Sequence, residues 1–129
     1  MNIQKVNPTS LSTPMAAYSQ VVKAGSIVTT AGLVSTDASG KIIGEGDIKL
    51  QVRKTLENMV AALESVGATI NDVIKTTLYV SDMSHYGDVN EVYNEFFDKI
   101  RPARATIEAK LVLPSLWFEM DAIAVVQDT

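Results

Sequence analysis

The stretch Arg101-Pro102-Ala103-Arg104-Ala105-Thr106-Ile107-Glu108 gathers side chains that could do chemistry. As a strand it points Arg104, Thr106 and Glu108 to one face, and Ala105 and Ile107 to the other, because strand side chains alternate. Arg104 follows a proline turn, so its guanidinium can project from a sheet edge or end into a cleft. There it offers a planar fork that matches a carboxylate with two parallel hydrogen bonds. The same spacing fits a structural ion pair, from Arg104 to Glu108 or to Glu119 or Asp121 on the next strand. Spacing alone favours the ion pair. Glu119 and Asp121 alternate with Phe118, Met120 and Ala122, and a carboxylate on an otherwise apolar strand is either paired or functional. Taken together, Arg104 and Glu119 could form a small site with a cation for a substrate carboxylate and a carboxylate for water.

Other chemistries lack their residues. The chain has no cysteine and one histidine, His85, which excludes disulfides and thiol nucleophiles and leaves no ligand set for a tight transition-metal site. His85 lies in Ser84-His85-Tyr86-Gly87 and reads as solvated surface rather than a catalytic base. No Gly-x-Ser-x-Gly elbow supplies a hydrolase nucleophile. Gly40, Gly44 and Gly46 are followed by no Gly-Lys-Ser/Thr, so they read as a hairpin loop and not a phosphate cradle.

The 129 residues match one ordinary domain, 1–129, with 47% hydrophobic and 20% charged residues and a net charge of −4. The 11 basic residues are scattered against 15 acidic ones, which argues against a nucleic-acid partner, since that affinity comes from neutralised phosphates. No apolar run reaches the roughly 20 residues of a membrane helix. No secretion signal is visible in the Pro-, Ser- and Thr-containing N-terminus. The expected location is the cytoplasm.

The positioning elements follow from periodicity. Ser19–Ala24 and Ser26–Val34 are rich in β-branched residues and meet at Ala24-Gly25-Ser26, predicting a tight hairpin. A turn at 36–40 leads to a short apolar piece counted as a third strand. Asp47 is placed to N-cap a helix over 48–66, whose Ile48, Val52, Leu56, Met59, Leu63 and Val66 fall on one face, with Gly67 ending it. Residues 73–80 predict a strand with Ile74, Thr76, Leu78 and Val80 on one side. Asp88 and Glu91 fit a capping-box start to a second helix, striped by Val89, Tyr93, Phe96, Phe97 and Ile100. Strands over 104–111 and 118–126 close the chain, joined by a turn at Pro114-Ser115. The class is α+β, a six-stranded sheet with two helices on one face. The other face is expected to be apolar through Ala105, Ile107 and Ala109 against Met120, Ala122 and Ala124, predicting an oligomer of packed sheets.

The segment 101–126, with Pro-Ala-Arg-Ala, Leu113-Pro114 and Phe118-Glu-Met-Asp-Ala-Ile-Ala124, resembles the signature of the Rid (YjgF-like) family. The likeness continues through Thr30-Ala31-Gly32, residues 73–80 and Val89-Asn-Glu-Val-Tyr93. It implies a mixed sheet of six strands with two helices, the chorismate-mutase-like subunit of a homotrimer with clefts between subunits. The implied activity is cofactor-free and metal-free hydrolysis of small enamines and imines, such as 2-aminoacrylate, to keto acids and ammonia. By resemblance Arg104 binds the substrate carboxylate and Glu119 handles the water. Tyr18, Ala31, Gly32, Asn90 and Thr106 fall on substrate-contacting positions, the Thr106 amide as a second donor. Deaminase-type members commonly carry serine at Ala31, glutamine at Leu33 and cysteine at Thr106, which implies a more apolar pocket here. The resemblance also admits a non-catalytic protein that binds keto acids or amino acids and reports to another protein.

Overall fold

A computed structural model describes residues 2–127. Its strands are β1 (Ile3–Val6), β2 (Val21–Ala24), β3 (Ile27–Thr30), β4 (Leu33–Val34), β5 (Val73–Val80), β6 (Ala103–Glu108) and β7 (Phe118–Val125), with helices α1 (Ile48–Glu64) and α2 (Tyr86–Phe97). One mixed sheet runs β1-β2-β3-β7-β5-β6, with β4 pairing β7 beyond the end of β3. All pairs are antiparallel except β5 with β6, which are parallel and joined through α2.

The expected class holds with seven strands rather than six. β1 lies in the N-terminal stretch that shows little hydrophobic pattern, and it gains order by pairing with β2 at the sheet edge. The third strand expected after residue 40 is only a bridge between Thr36 and Ile42. The expected strand over 26–34 is interrupted at Ala31-Gly32. There the Thr30 hydroxyl donates to the Ala31 carbonyl and accepts from the Ala122 amide, replacing the regular ladder. The hairpin at Gly25 is present, and this glycine has φ 61°, a left-handed value that favours a residue without Cβ.

Asp47 caps α1 by accepting from the Leu50 amide at 3.1 Å, and Gly67 has φ 80°, both as expected. The capping box at Asp88 and Glu91 is not formed. Asp82 instead accepts from the Ser84 amide and caps a 3-10 turn over Met83–His85, which runs directly into α2 at Tyr86. Asp88 and Glu91 both face Lys49 on α1. Arg53 and Glu95, 2.7 Å apart, link the same two helices; exposed pairs of this kind stabilise only weakly. In β5 a bulge turns Ile74 out to solvent, so Val73, Thr76, Leu78 and Val80 form the buried face.

The helices cover one face of the sheet and enclose a core around Val52, Leu56, Met59, Leu63, Leu78, Phe97 and Phe118. Met120, Ala122 and Ala124 belong to this core. They do not form the second apolar face that their sequence suggests beside Ala105 and Ile107. Alternation puts Glu119, Asp121 and Ile123 on the open face instead.

Two buried amides tie the loops to α1. Gln51 is wholly buried, donates to the carbonyls of Gly44 (3.1 Å) and Ser115 (3.0 Å), and accepts from the Trp117 amide at 2.8 Å. Asn58 donates to the carbonyls of Val34 and Thr36 and so fixes β4. Replacing Gln51 with Leu keeps the volume but strands those backbone groups without partners. A loss of roughly 2–4 kcal/mol is expected, measurable by urea denaturation; an unchanged midpoint would show that water replaces the amide.

Candidate functional site

The chemistry-bearing residues fall into two groups on opposite faces of the sheet. On the helix-covered side, β6 carries Arg104 at the register position of Thr76. Its Nε donates to the Thr106 hydroxyl at 2.8 Å and its Nη2 to the Asn90 carboxamide oxygen at 2.7 Å. The guanidinium carbon lies 4.7 Å from the Tyr93 ring centre and 5.6 Å from that of Tyr86. Tyr93 is itself fixed by a 2.8 Å hydrogen bond between its hydroxyl and that of Thr76. Burial pushes the Tyr93 phenol above its ordinary pKa, with Thr76 and the Arg104 charge opposing.

Arg104 therefore makes no ion pair among the described residues. Glu108, the nearest candidate on its own strand, instead accepts from the Met83 amide. Glu119 and Asp121 are not on a neighbouring strand at all, because β5 separates β6 from β7. The ion-pair reading favoured by spacing fails for two reasons: Glu108 turns to the Met83 amide, and β6 and β7, though consecutive in sequence, are not paired. A guanidinium has five N–H donors; with two used by Thr106 and Asn90, the rest remain available beside two aromatic faces. Asn90 and the Thr106 side chain act here as supports for Arg104. Tyr86, Asn90 and Tyr93 form the supporting triad, and its signal in the sequence is the i, i+4, i+7 spacing of one helix face.

The second group lies on the open face. Tyr18, Ala31, Gly32 and Glu119 line a cavity of about 410 Å³ together with Ser19, Val22, Thr29 and Thr30. Leu33 does not line it: this residue is buried and pairs with Met120 on the helix-covered side. Ser19 and Thr29 also line the cavity, whereas the Thr30 hydroxyl is taken up by the Ala31 carbonyl and the Ala122 amide. Gly32 admits the glutamate, since a Cβ built there would meet the Glu119 Oε2 and lie 2.8 Å from its Cδ. The Glu119 carboxylate accepts no hydrogen bond and meets no cation among the described residues. Burial, and secondarily the charge of Asp121, raises its pKa above the ordinary carboxylate value.

That direction has a consequence for stability. A group with a raised folded-state pKa favours the fold in its protonated form and opposes it once ionised. Glu119→Gln is therefore expected to melt higher than the wild type at pH 7. The gap should close as pH falls through the raised Glu119 pKa. Calorimetric melts across pH check this; a gap that persists at acid pH would assign the effect to packing.

His85 is not simply solvated. It is half-buried and stacks on Trp117, with ring centres 4.9 Å apart. No helix among the described residues is long and apolar enough to cross a membrane.

Within one chain Arg104 and Glu119 cannot address the same small molecule. They lie on opposite faces, two strands apart, and three residues out of register, since Arg104 aligns with Thr76 and Ala122 while Glu119 aligns with Tyr79. Strand spacing and rise place their Cα atoms roughly 14 Å apart.

Known proteins share this arrangement of elements. The family model described as Endoribonuclease L-PSP matches residues 9–126. A RutC family protein of Pyrococcus abyssi is 40% identical over 111 residues, covering 86% of this chain and 87% of its own. Among solved structures, Rv2704 of Mycobacterium tuberculosis, a member of the YjgF/YER057c/UK114 family, superposes with a TM-score of 0.85 at 33% identity, covering 97% of this chain and all of its own. TdcF of E. coli with bound serine superposes with a TM-score of 0.88 at 29% identity, covering 96% and 99%. The Arg104 strand and the Glu119 strand both fall inside the matched span, and the chain belongs to the Endoribonuclease L-PSP family, the YjgF/Rid group.

Proposed function

We propose that this protein hydrolyses small enamines and imines of the 2-aminoacrylate type to 2-keto acids and ammonia. It does so in the cytoplasm, without metal or cofactor, at sites shared between the subunits of a homotrimer. The observation that carries this reading is Arg104. Its guanidinium is held by Asn90, Thr106 and Tyr93 without any carboxylate partner among the described residues, as a site for a substrate carboxylate requires.

The substrate enamine first tautomerises to the imine. The water oxygen then bonds to the imine carbon, the C=N π pair moves to nitrogen, and Glu119 takes a proton from the water. Protonation at nitrogen yields a carbinolamine. Its hydroxyl oxygen then forms the carbonyl as the C–N bond breaks and ammonia leaves, with Glu119 exchanging the protons. Imine and water are consumed, and keto acid and ammonia are produced. The imine is already electrophilic, so positioning and charge neutralisation supply most of the rate.

The separation of Arg104 from Glu119 within one chain supports a shared site. A cleft between copies can join the Arg104 of one subunit to the Glu119 cavity of the next, in a closed ring of heterologous contacts. Mixing the two inactive variants Arg104→Ala and Glu119→Gln, unfolding and refolding them together, tests this. At equal ratio about a quarter of the interfaces then carry both intact residues, so a comparable share of turnover returns. No recovery would overturn the shared site.

A second reading has its own support, the serine bound to the TdcF relative: a non-catalytic protein that senses small keto or amino acids. Calorimetric binding of 2-ketobutyrate without turnover of imines released by a coupled dehydratase would select it. Failure to bind any small carboxylate would remove both readings.

A further inference from the structure

Glu119 has a neighbour that the proposed reaction has not used. On the open face of β7, Asp121 follows Glu119 by two residues, so their Cα atoms are roughly 7 Å apart. β5 runs alongside with Tyr79 opposite Glu119 and Thr77 opposite Asp121. Tyr79 does not stay with its own register partner. Its hydroxyl reaches along the strand and donates to the Asp121 Oδ2 at 3.1 Å. Asp121 is half-buried, and neither carboxylate has a cation within ion-pair distance among the described residues. Two like charges left side by side on a half-covered surface oppose folding. An arrangement of this kind, with one member anchored by a tyrosine and the other left without any donor, separates the roles of two carboxylates.

We propose that Asp121, anchored by the Tyr79 hydroxyl, is a positioning residue that holds a negative charge beside Glu119 and thereby keeps Glu119 ready to take and return a proton. This rests on the reading of Glu119 as the group that handles water. A glutamate that ionised too easily would bind a proton from water too weakly to return it to the departing nitrogen. Asp121 opposes that ionisation through space, and burial adds to it. The remaining titratable groups on this side are few. Tyr18 lines the same cavity as Glu119. Lys75 shares the face opposite Ile123, and Lys5 lies on the edge strand β1 opposite Val22. Gly32 and Val34, from the β4 side, contribute no charge. In the proposed trimer, Arg104 of the partner subunit adds a cation whose effect opposes that of Asp121 and is common to all the variants below.

The test follows the side-chain carboxyl resonance of Glu119 in ¹³C-labelled full-length protein across pH, without substrate, beside the pH profile of kcat/KM. Asp121→Asn is expected to move the Glu119 midpoint to lower pH. The acid limb of kcat/KM moves with it, so that at a pH on the wild-type limb the variant keeps a several-fold larger share of its own plateau rate. Asp121→Glu, which retains the charge, stays close to wild type. Tyr79→Phe frees Asp121 to swing toward solvent and shifts the midpoint the same way by less; it carries the test if Asp121→Asn does not fold. A Glu119 midpoint unmoved by the neutral variants overturns the inference, whatever the turnover. A midpoint that falls in a protein with no imine turnover upholds the coupling and overturns the deaminase reading instead.

Discussion

Arg104→Ala is expected to lower kcat/KM for a dehydratase-generated 2-aminoacrylate by roughly 10²- to 10³-fold while the protein stays folded. Truncating one partner of a hydrogen-bonded charge pair costs about 2–5 kcal/mol, and each 1.4 kcal/mol is about tenfold. The loss should be visible in 2-ketobutyrate binding as well as in turnover, because the carboxylate is gripped before and during the reaction. Stability changes little, since Arg104 is only partly buried and holds no ion pair among the described residues. Arg104→Lys should rescue poorly. An ammonium cannot hold Thr106, Asn90 and a bidentate carboxylate from one plane, nor lie flat over the Tyr93 ring. Equal rates for wild type and Arg104→Ala would remove the enzyme reading.

Gly32→Ala is the other substitution expected to act strongly, and through a residue other than its own. Its backbone is not in a left-handed conformation, so alanine is tolerated by φ and ψ. The added methyl, however, would occupy the space of the Glu119 carboxylate, with the Cδ only 2.8 Å away. The flexible glutamate gives way before the strapped backbone does, because Asn58 and Thr30 hold the chain on either side. Turnover should fall by about 10²-fold or more, the usual weight of a displaced acid–base group. The stability change should stay within about 1 kcal/mol. Combining Gly32→Ala with Glu119→Gln should cost hardly more than Glu119→Gln alone, since both act on one carboxylate. Additive losses would give Gly32 a role of its own toward the ligand.

Much of the local structure is written in short-range patterns. Ile48, Val52, Leu56, Met59 and Leu63 share one helical face, and Asp47 accepts the free Leu50 amide, so α1 begins as read. Strand β5 has the expected limits because a β-branched run is bounded by turn residues. The start of α2 departs from the Asp88 pattern for an equally local reason: two capping signals compete, and Asp82 captures the chain before Asp88 can. β1 could not be read, because a four-residue edge strand with exposed side chains owes its order to β2 alone.

The face assigned to β7 shows where such patterns stop. Alternation separates Glu119 and Asp121 from Met120 and Ala122, yet period two does not say which set meets the helices. Packing against α1 decides that, and it buries Met120, Ala122 and Ala124. The gap at Ala31-Gly32 is of the same kind. Thr30 breaks the ladder through the Ala122 amide, ninety-two residues away in sequence.

By itself, then, the sequence determined the α+β class, the helices, the family likeness and the residue types of the site, all carried by local spacing and by the segments around Arg104 and Glu119. Only the tertiary structure decided that β5 lies between those segments, that Arg104 is cradled by α2, and that Glu119 looks out from the opposite face beside Gly32 and Asp121. Strand order depends on pairings between distant segments that compete in the folded chain, and no repeat within a segment encodes its neighbour.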